Sequence, residues 1–190
     1  MSVFGHPRRP RPLGRAADAL LAYALVGILI ALAAALMHRP QREFAGEASV
    51  VDGDTLRLAG DRIRLLGLDA PELDQICEAH GDTVACGRRA REALRALAVG
   101  GVRCAADGRD RYGRILARCS GAAGDLSAAM VRAGEAVASG CCAVEEVEAR
   151  RAGRGIWAGR FELPSDWRRE HRHGDSGPGG VAETPQRPIW

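Results

Sequence analysis

Along the chain the polarity pattern changes three times: a continuous apolar run, then short alternating segments mixed with helix-period stretches, then a polar end. Residues 19–37 carry no charge and include Leu20, Leu21, Val26, Ile28, Leu29, Ile30 and Leu36. At ~1.5 Å rise per residue such a helix covers ~28 Å, enough to cross the hydrocarbon core of a bilayer. A helix buried in a small globular domain is seldom apolar on every face. The run therefore predicts a transmembrane helix.

Residues 45–51, 55–58 and 62–68 read as short strands, separated by the turn signals Asp52-Gly53 and Gly60-Asp61. Residues 88–99 switch to helical period, with Ala90, Leu94, Leu97 and Ala98 on one face and Arg88, Arg91, Glu92 and Arg95 outside it. Strand character returns at 102–105 and 114–120, joined through the Asp107-Gly108 turn region. Two more helices are predicted at 126–133, with Asp125 near its start, and at 144–152, ending near Gly153 and Gly155. A strand meander wrapped and followed by helices indicates a small α+β fold. Beyond Trp167 the chain is Arg- and His-rich, then Gly- and Pro-rich, which predicts a disordered tail. The implied layout is a basic cytoplasmic arm at 1–15, an anchor or signal segment at 16–38, one domain at 43–167 and the tail at 168–190.

Composition adds two constraints. With 190 residues there is room for one domain with a real core plus appendages. All 27 Lys+Arg positions are Arg, a bias that also fills sites with no evident ligand and so reads as genomic. The net charge of +3 sits in the two ends; residues 43–166 hold 17 Arg against 20 Asp and Glu, about −3. A duplex-coating protein is disfavoured, because any binding of nucleic acid must come from a local cluster or a metal ion.

Arg8, Arg9, Arg11 and Arg15 before the apolar run outnumber Arg39 and Arg42 after it. The positive-inside bias then puts the N-terminus in the cytoplasm and the domain on the periplasmic or extracellular side. The alternative is secretion after cleavage of a signal peptide at the small residues Ala33-Ala34-Ala35. Six cysteines agree with export. Cys77 and Cys86 flank a short loop, and Cys104 and Cys119 fall on runs that should pair as antiparallel strands, so both pairs are expected as disulfides. Zinc is disfavoured, since no Cys-x-x-Cys occurs and His80 is the only histidine near the first pair. Adjacent Cys141 and Cys142 would form a strained bridge and are expected unpaired or intermolecular.

Three segments carry chemistry: Asp52-Gly53-Asp54-Thr55, residues 64–72 (Arg-Leu-Leu-Gly-Leu-Asp-Ala-Pro-Glu) and Asp110-Arg111-Tyr112-Gly113-Arg114. A phosphodiester is a poor electrophile because its charged oxygens repel a nucleophile, so a catalyst must neutralise that charge and activate water. Carboxylates beside a hard cation and planar guanidinium forks supply these two needs. In this order, with a helix between the second and third and Gly155-Ile156-Trp157 further on, the segments resemble the thermonuclease family, the staphylococcal nuclease-like domains, over roughly residues 44–167.

The resemblance implies a five-stranded OB-fold β-barrel with three helices and a calcium-dependent nuclease that cuts DNA, and RNA as a further substrate, with little sequence specificity. Asp54 and Asp69 would be the carboxylate ligands of Ca2+, with the backbone carbonyl of Ala70 a further one. Glu72 would be the general base; Arg64 and Arg114 would bind phosphate and stabilise the transition state. Tyr112 would lie against substrate, Asp52 would lend a hydrogen bond, and Asp110 would serve the hairpin. Water would attack in line, the 5′-oxygen would leave, and products would carry 3′-phosphates. The membrane is a partner through the N-terminal helix, and no obligate protein partner is evident.

One stretch departs from the family. After Gly134 relatives continue Ala-x-Ala-Tyr and line the nucleotide pocket with tyrosines, whereas this chain runs Ala136-Val137-Ala138-Ser139-Gly140-Cys141-Cys142. Stacking on an aromatic is worth ~1–3 kcal/mol per base, so nucleotide binding is expected to be weaker. The departure keeps an alternative in view, a non-catalytic OB-type module that binds nucleic acid or protein.

Overall fold

A computed structural model describes residues 13–37 and 42–173, and the chain divides into two units, Met1–Pro40 and Gln41–Trp190. The expected basic arm lies outside the described residues up to residue 12, as does the expected tail from residue 174 onward. In the first unit, α1 (Leu13–Met37) runs for 25 residues. Its stretch Ala17–Ala34 is long and apolar enough to cross a membrane, with the large apolar side chains from Leu20 to Leu32 exposed. By length and composition this helix matches what a signal anchor or a signal peptide requires.

Alternation builds the second unit. In β4 (Asp61–Leu65) Ile63 and Leu65 point inward at 0% and 1% exposure, which leaves Arg62 and Arg64 facing outward. Along the chain β4 is preceded by β1 (Glu43–Gly46), β2 (Ala48–Val50) and β3 (Thr55–Leu58), and followed by β5 (Gly67–Asp69), a small hairpin of β6 (Cys77–Ala79) and β7 (Asp82–Val84), and α2 (Cys86–Leu97). Next come β8 (Val102–Arg109), β9 (Ile115–Gly121), β10 (Gly124–Asp125), α3 (Leu126–Arg132), β11 (Val137–Ser139) and α4 (Ala143–Arg151). A 3-10 turn, Gly155–Ala158, and α5 (Pro164–His173) complete the described part.

Sheet order is β1-β8-β9-β4-β3-β2, with β4 and β9 parallel and the other neighbours antiparallel. The first strand is bent at Glu47: its β1 half pairs β8 and its β2 half pairs β3. Gly46, at φ 144°, supplies the backbone freedom for the bend. Counted as one strand, β1 and β2 close the sheet on itself, and the five-stranded OB barrel expected from the resemblance results.

Leu56, Leu58, Ile115 and Ala117 fill the barrel, and Ala90 and Leu94 of α2 with Leu126 and Met130 of α3 cover its end, all at 2% exposure or less. Each such large apolar side chain contributes on the order of 1.5–3 kcal/mol. α2 has apolar and charged sides as its periodicity predicts, and Asp125 caps α3 by accepting from the Ala128 amide at 2.8 Å.

Three sequence expectations are corrected. The β8–β9 turn is not at Asp107-Gly108, which lies within β8 at a register shift. It forms instead at Asp110–Gly113, where the Asp110 carboxylate accepts from the Tyr112 amide at 2.9 Å and the Arg114 amide at 3.0 Å, a local alternative to the ladder. Residues 168–173 are not disordered but extend α5, a fourth helix in this unit, which starts at Pro164, a residue well suited to a first helical turn. Cys141 and Cys142 are bonded to each other, with Cys141 packed against Gly67. Cys77–Cys86 and Cys104–Cys119 form as expected, the latter between register partners of β8 and β9.

Candidate active site

Asp54 ends the turn that enters β3, and Thr55 faces Arg64 across the β3–β4 ladder. The turn is tight because Asp52 accepts from the Asp54 amide at 3.1 Å and because Gly53 has no side chain. A Cβ on Gly53 would lie 2.6 Å from the Ala70 Cβ and 2.9 Å from the Ala90 Cβ. Packing of that glycine thus seats the Asp54 loop on the segment after Asp69 and on α2.

Arg64 spans the two carboxylates. Its Nη1 lies 2.7 Å from Asp54 Oδ2 and its Nη2 donates to Asp69 Oδ1 at 2.9 Å. Thr55, fully buried, donates its hydroxyl to Asp54 Oδ1 at 2.8 Å. Asp69 closes β5, where it pairs with Val137 of β11, and Ala70 beside it is buried. Asp54 is 5% exposed and Asp69 8%. Burial pushes the Asp54 carboxyl up to about 7, against the opposing pull of the Arg64 charge and with the neighbouring Asp52 adding to the rise.

Glu72 sits on the short loop after Pro71. Its amide donates to Oε1 of the fully buried Gln75 at 3.1 Å, and Gln75 Nε2 donates to the Glu162 carbonyl at 2.6 Å. One buried amide thus ties the Glu72 loop to the segment leading into α5. From α5 itself Arg168 reaches back, with Nη1 on Glu72 Oε1 and Nη2 on Asp69 Oδ2, both at 2.7 Å. Burial pulls the Arg168 pKa down, but hydrogen bonds and charge from Asp69 and Glu72 outweigh it and the net direction is upward.

Arg114 enters from the β8–β9 hairpin. Its Nε donates to Asp110 Oδ2 at 2.7 Å and its Nη1 to Thr55 Oγ1 at 3.5 Å. Burial raises the Asp110 carboxyl, yet the hydrogen bonds from Arg114 and the two turn amides prevail and hold it below the ordinary range. Tyr112 is 60% exposed, with the Arg111 and Arg114 guanidinium carbons 4.8 and 5.8 Å from its ring centre. Arg64, Glu72, Tyr112, Arg114 and Arg168 line one cleft of about 690 Å³.

The structure therefore brings Asp54, Asp69, Arg64, Glu72 and Arg114 to one lip of the barrel, with Tyr112 at its rim. Among the described residues no three His, Cys, Asp or Glu side chains converge as a metal cluster. A cation held here would have two carboxylates, Asp54 and Asp69, with the Ala70 carbonyl or water completing the shell. That donor set is all oxygen and suits calcium. The buried Asp54 carboxylate, whose charged form its surroundings penalise, is also a group that a cation would stabilise.

Sequence reasoning passed over Gln75, gave Thr55 no role of its own within its motif and placed Arg168 in a disordered tail. For Arg168 a signal was present: Pro164 followed by Ser-Asp-Trp is a plausible helix start.

A closed OB barrel with arginines and carboxylates gathered at one lip defines a protein of the nuclease-like OB class. The chain belongs to the family described as staphylococcal nuclease homologue, whose family model matches residues 62–159. It is also similar to the succinoglycan biosynthesis protein ExoI of Rhizobium meliloti (strain 1021), with 39% identity over 126 residues. That match covers 62% of this chain and 66% of the relative.

Proposed function

We propose that the protein is an exported, membrane-anchored nuclease that hydrolyses phosphodiester bonds of DNA, and RNA as a second substrate, with calcium as its cation. The supporting observation is the Arg64 fork, which joins Asp54 and Asp69 beside the cleft that Arg114 and Glu72 also line. Bound at Asp54 and Asp69, calcium would neutralise phosphate charge and polarise water. Arg64 and Arg114 bind the phosphate oxygens, and their planar forks match the charge that builds as phosphorus becomes five-coordinate. Asp110 and Thr55 aim the Arg114 fork. Glu72, held by Gln75 through its own backbone, accepts the proton of the attacking water.

Length and apolarity of α1 support the anchor, and three disulfides support an oxidising compartment for the domain. A second reading, an OB module that binds an anionic chain without cutting it, is favoured by the stretch at 136–142, which lacks aromatics. The biosynthetic role named for the relative points the same way.

One assay separates the readings: release of acid-soluble nucleotide from single-stranded DNA by the full chain in detergent, first with calcium and then with a chelator. Calcium-dependent release supports the nuclease; binding of the same DNA without release supports the module.

A further inference from the structure

Arg168 does not belong to the three segments that carry the resemblance, yet it touches two of their carboxylates. Its side chain is 24% exposed and hydrogen-bonds Asp69 Oδ2 and Glu72 Oε1 at 2.7 Å each. Asp69 Oδ1 is taken by Arg64. Both oxygens of Asp69 thus face a guanidinium, and the proposed general base faces one too.

This arrangement conflicts with turnover. A divalent cation on Asp69 would lie within a few ångströms of a fixed positive charge, and like charges at that range repel strongly where burial limits screening. A carboxylate already locked in a charge-assisted hydrogen bond is also a poorer acceptor for the proton of water. For the site to act, Arg168 has to leave these two partners, just as Arg64 has to turn from Asp54 and Asp69 toward the phosphate.

Its new partner follows from where it stands. Arg168 lines the same cleft as Arg64 and Arg114, on a helix whose approach is tethered by the Gln75 link to Glu162. A phosphate in that cleft offers the planar fork two oxygens in place of the two it gives up.

We propose that Arg168 is a third phosphate-binding arginine, stored on Asp69 and Glu72 and exchanged onto the substrate phosphate when a divalent cation takes Asp69. The proposal rests on the nuclease reading for its substrate, but the exchange with a cation is separately measurable. In the cation-free protein Arg168 acts as an internal countercharge, so calcium has to compete with it. In the substrate complex it adds to the grip on phosphate, so its loss weakens substrate binding more than it slows chemistry.

The test is isothermal calorimetry of calcium alone with the full chain in detergent, comparing wild type with Arg168→Gln, alongside KM and kcat on single-stranded DNA. Release of Asp69 from a partly buried pair should tighten calcium binding about 5- to 10-fold. KM should rise about 10-fold with a smaller fall in kcat. Calcium affinity that is unchanged or weaker in Arg168→Gln overturns the exchange, whatever the activity. If wild type cuts no DNA, the nuclease reading fails alone: tighter calcium binding by the variant still supports the exchange, and equal or absent binding by both proteins overturns it. Should Arg168→Gln fail to fold, Arg168→Lys decides. A charge without the fork should give intermediate calcium affinity and a raised KM, and wild-type values of both overturn the proposal.

Discussion

Asp110 grips Arg114 twice, through the backbone amide at 3.0 Å and through Nε at 2.7 Å. The same carboxylate that forms the hairpin turn also aims the guanidinium, so the turn geometry and the proposed phosphate grip of Arg114 would be one device. Replacing Asp110 by Asn keeps the turn acceptor and removes the charge. Activity should fall roughly 10- to 100-fold with stability lowered by no more than about 1 kcal/mol. Thermal melts beside DNA hydrolysis rates check this, and equal losses of stability and rate would contradict it.

Glu72→Gln and Arg114→Ala should both fold, since neither side chain is in the core, and both should lose most turnover. Arg114→Ala should lose transition-state stabilisation more than ground-state affinity, seen as a larger fall in kcat than rise in KM. Unchanged rates in both variants would reject these roles.

Asp54 should make the proposed calcium binding depend on pH. Its folded pKa, pushed up by burial to about 7, exceeds the ordinary value of 3.8, so folding favours the protonated form. This contribution to the stability of the calcium-free protein is present below about pH 4 and lost as pH rises toward 7. Calcium requires the ionised form, so apparent affinity should fall as pH drops below about 7, at most about tenfold per unit. Calorimetry in buffers of different ionisation enthalpy should detect proton release on binding. Asp54→Asn should flatten the pH dependence and weaken calcium binding.

Gly53 tests the seating of the Asp54 loop. A methyl group there meets Ala70 and Ala90 inside normal contact distance. Gly53→Ala should cost about 1–3 kcal/mol by overpacking, with loss of calcium affinity because Asp54 and Ala70 both shift. Wild-type melting and affinity would show that the loop can yield without consequence.

The disulfides should differ in worth. Cys104–Cys119 closes a 15-residue separation and Cys77–Cys86 one of 9, while Cys141–Cys142 closes none beyond adjacent residues. Loop-closure entropy assigns about 2–4 kcal/mol at most to each of the first two and little to the third. Paired alanine substitutions followed by denaturant unfolding should reproduce that ranking.

Much of the barrel is legible in the sequence because its strands alternate: Ile63 and Leu65 inward force Arg64 outward. Motif residues could be read because they lie at turns whose chemistry is local, as at Asp52-Gly53-Asp54. Arg168 could not be assigned a role this way. Its importance depends on where α5 returns in space, which is set by Gln75 reaching Glu162 across 87 positions of chain. The Asp107-Gly108 turn misled for the opposite reason. A strong local signal lost to Asp110, which gains a guanidinium partner as well as two amides.

The bent first strand has a consequence beyond architecture. Because β1 and β2 serve opposite neighbours, the barrel sheet ends where it begins and offers no long row of free amides and carbonyls to another molecule. If α1 anchors the chain as proposed, its copies would meet often and at high local concentration in the plane of a membrane. Side-by-side strand addition to the barrel sheet would then be disfavoured even under crowding.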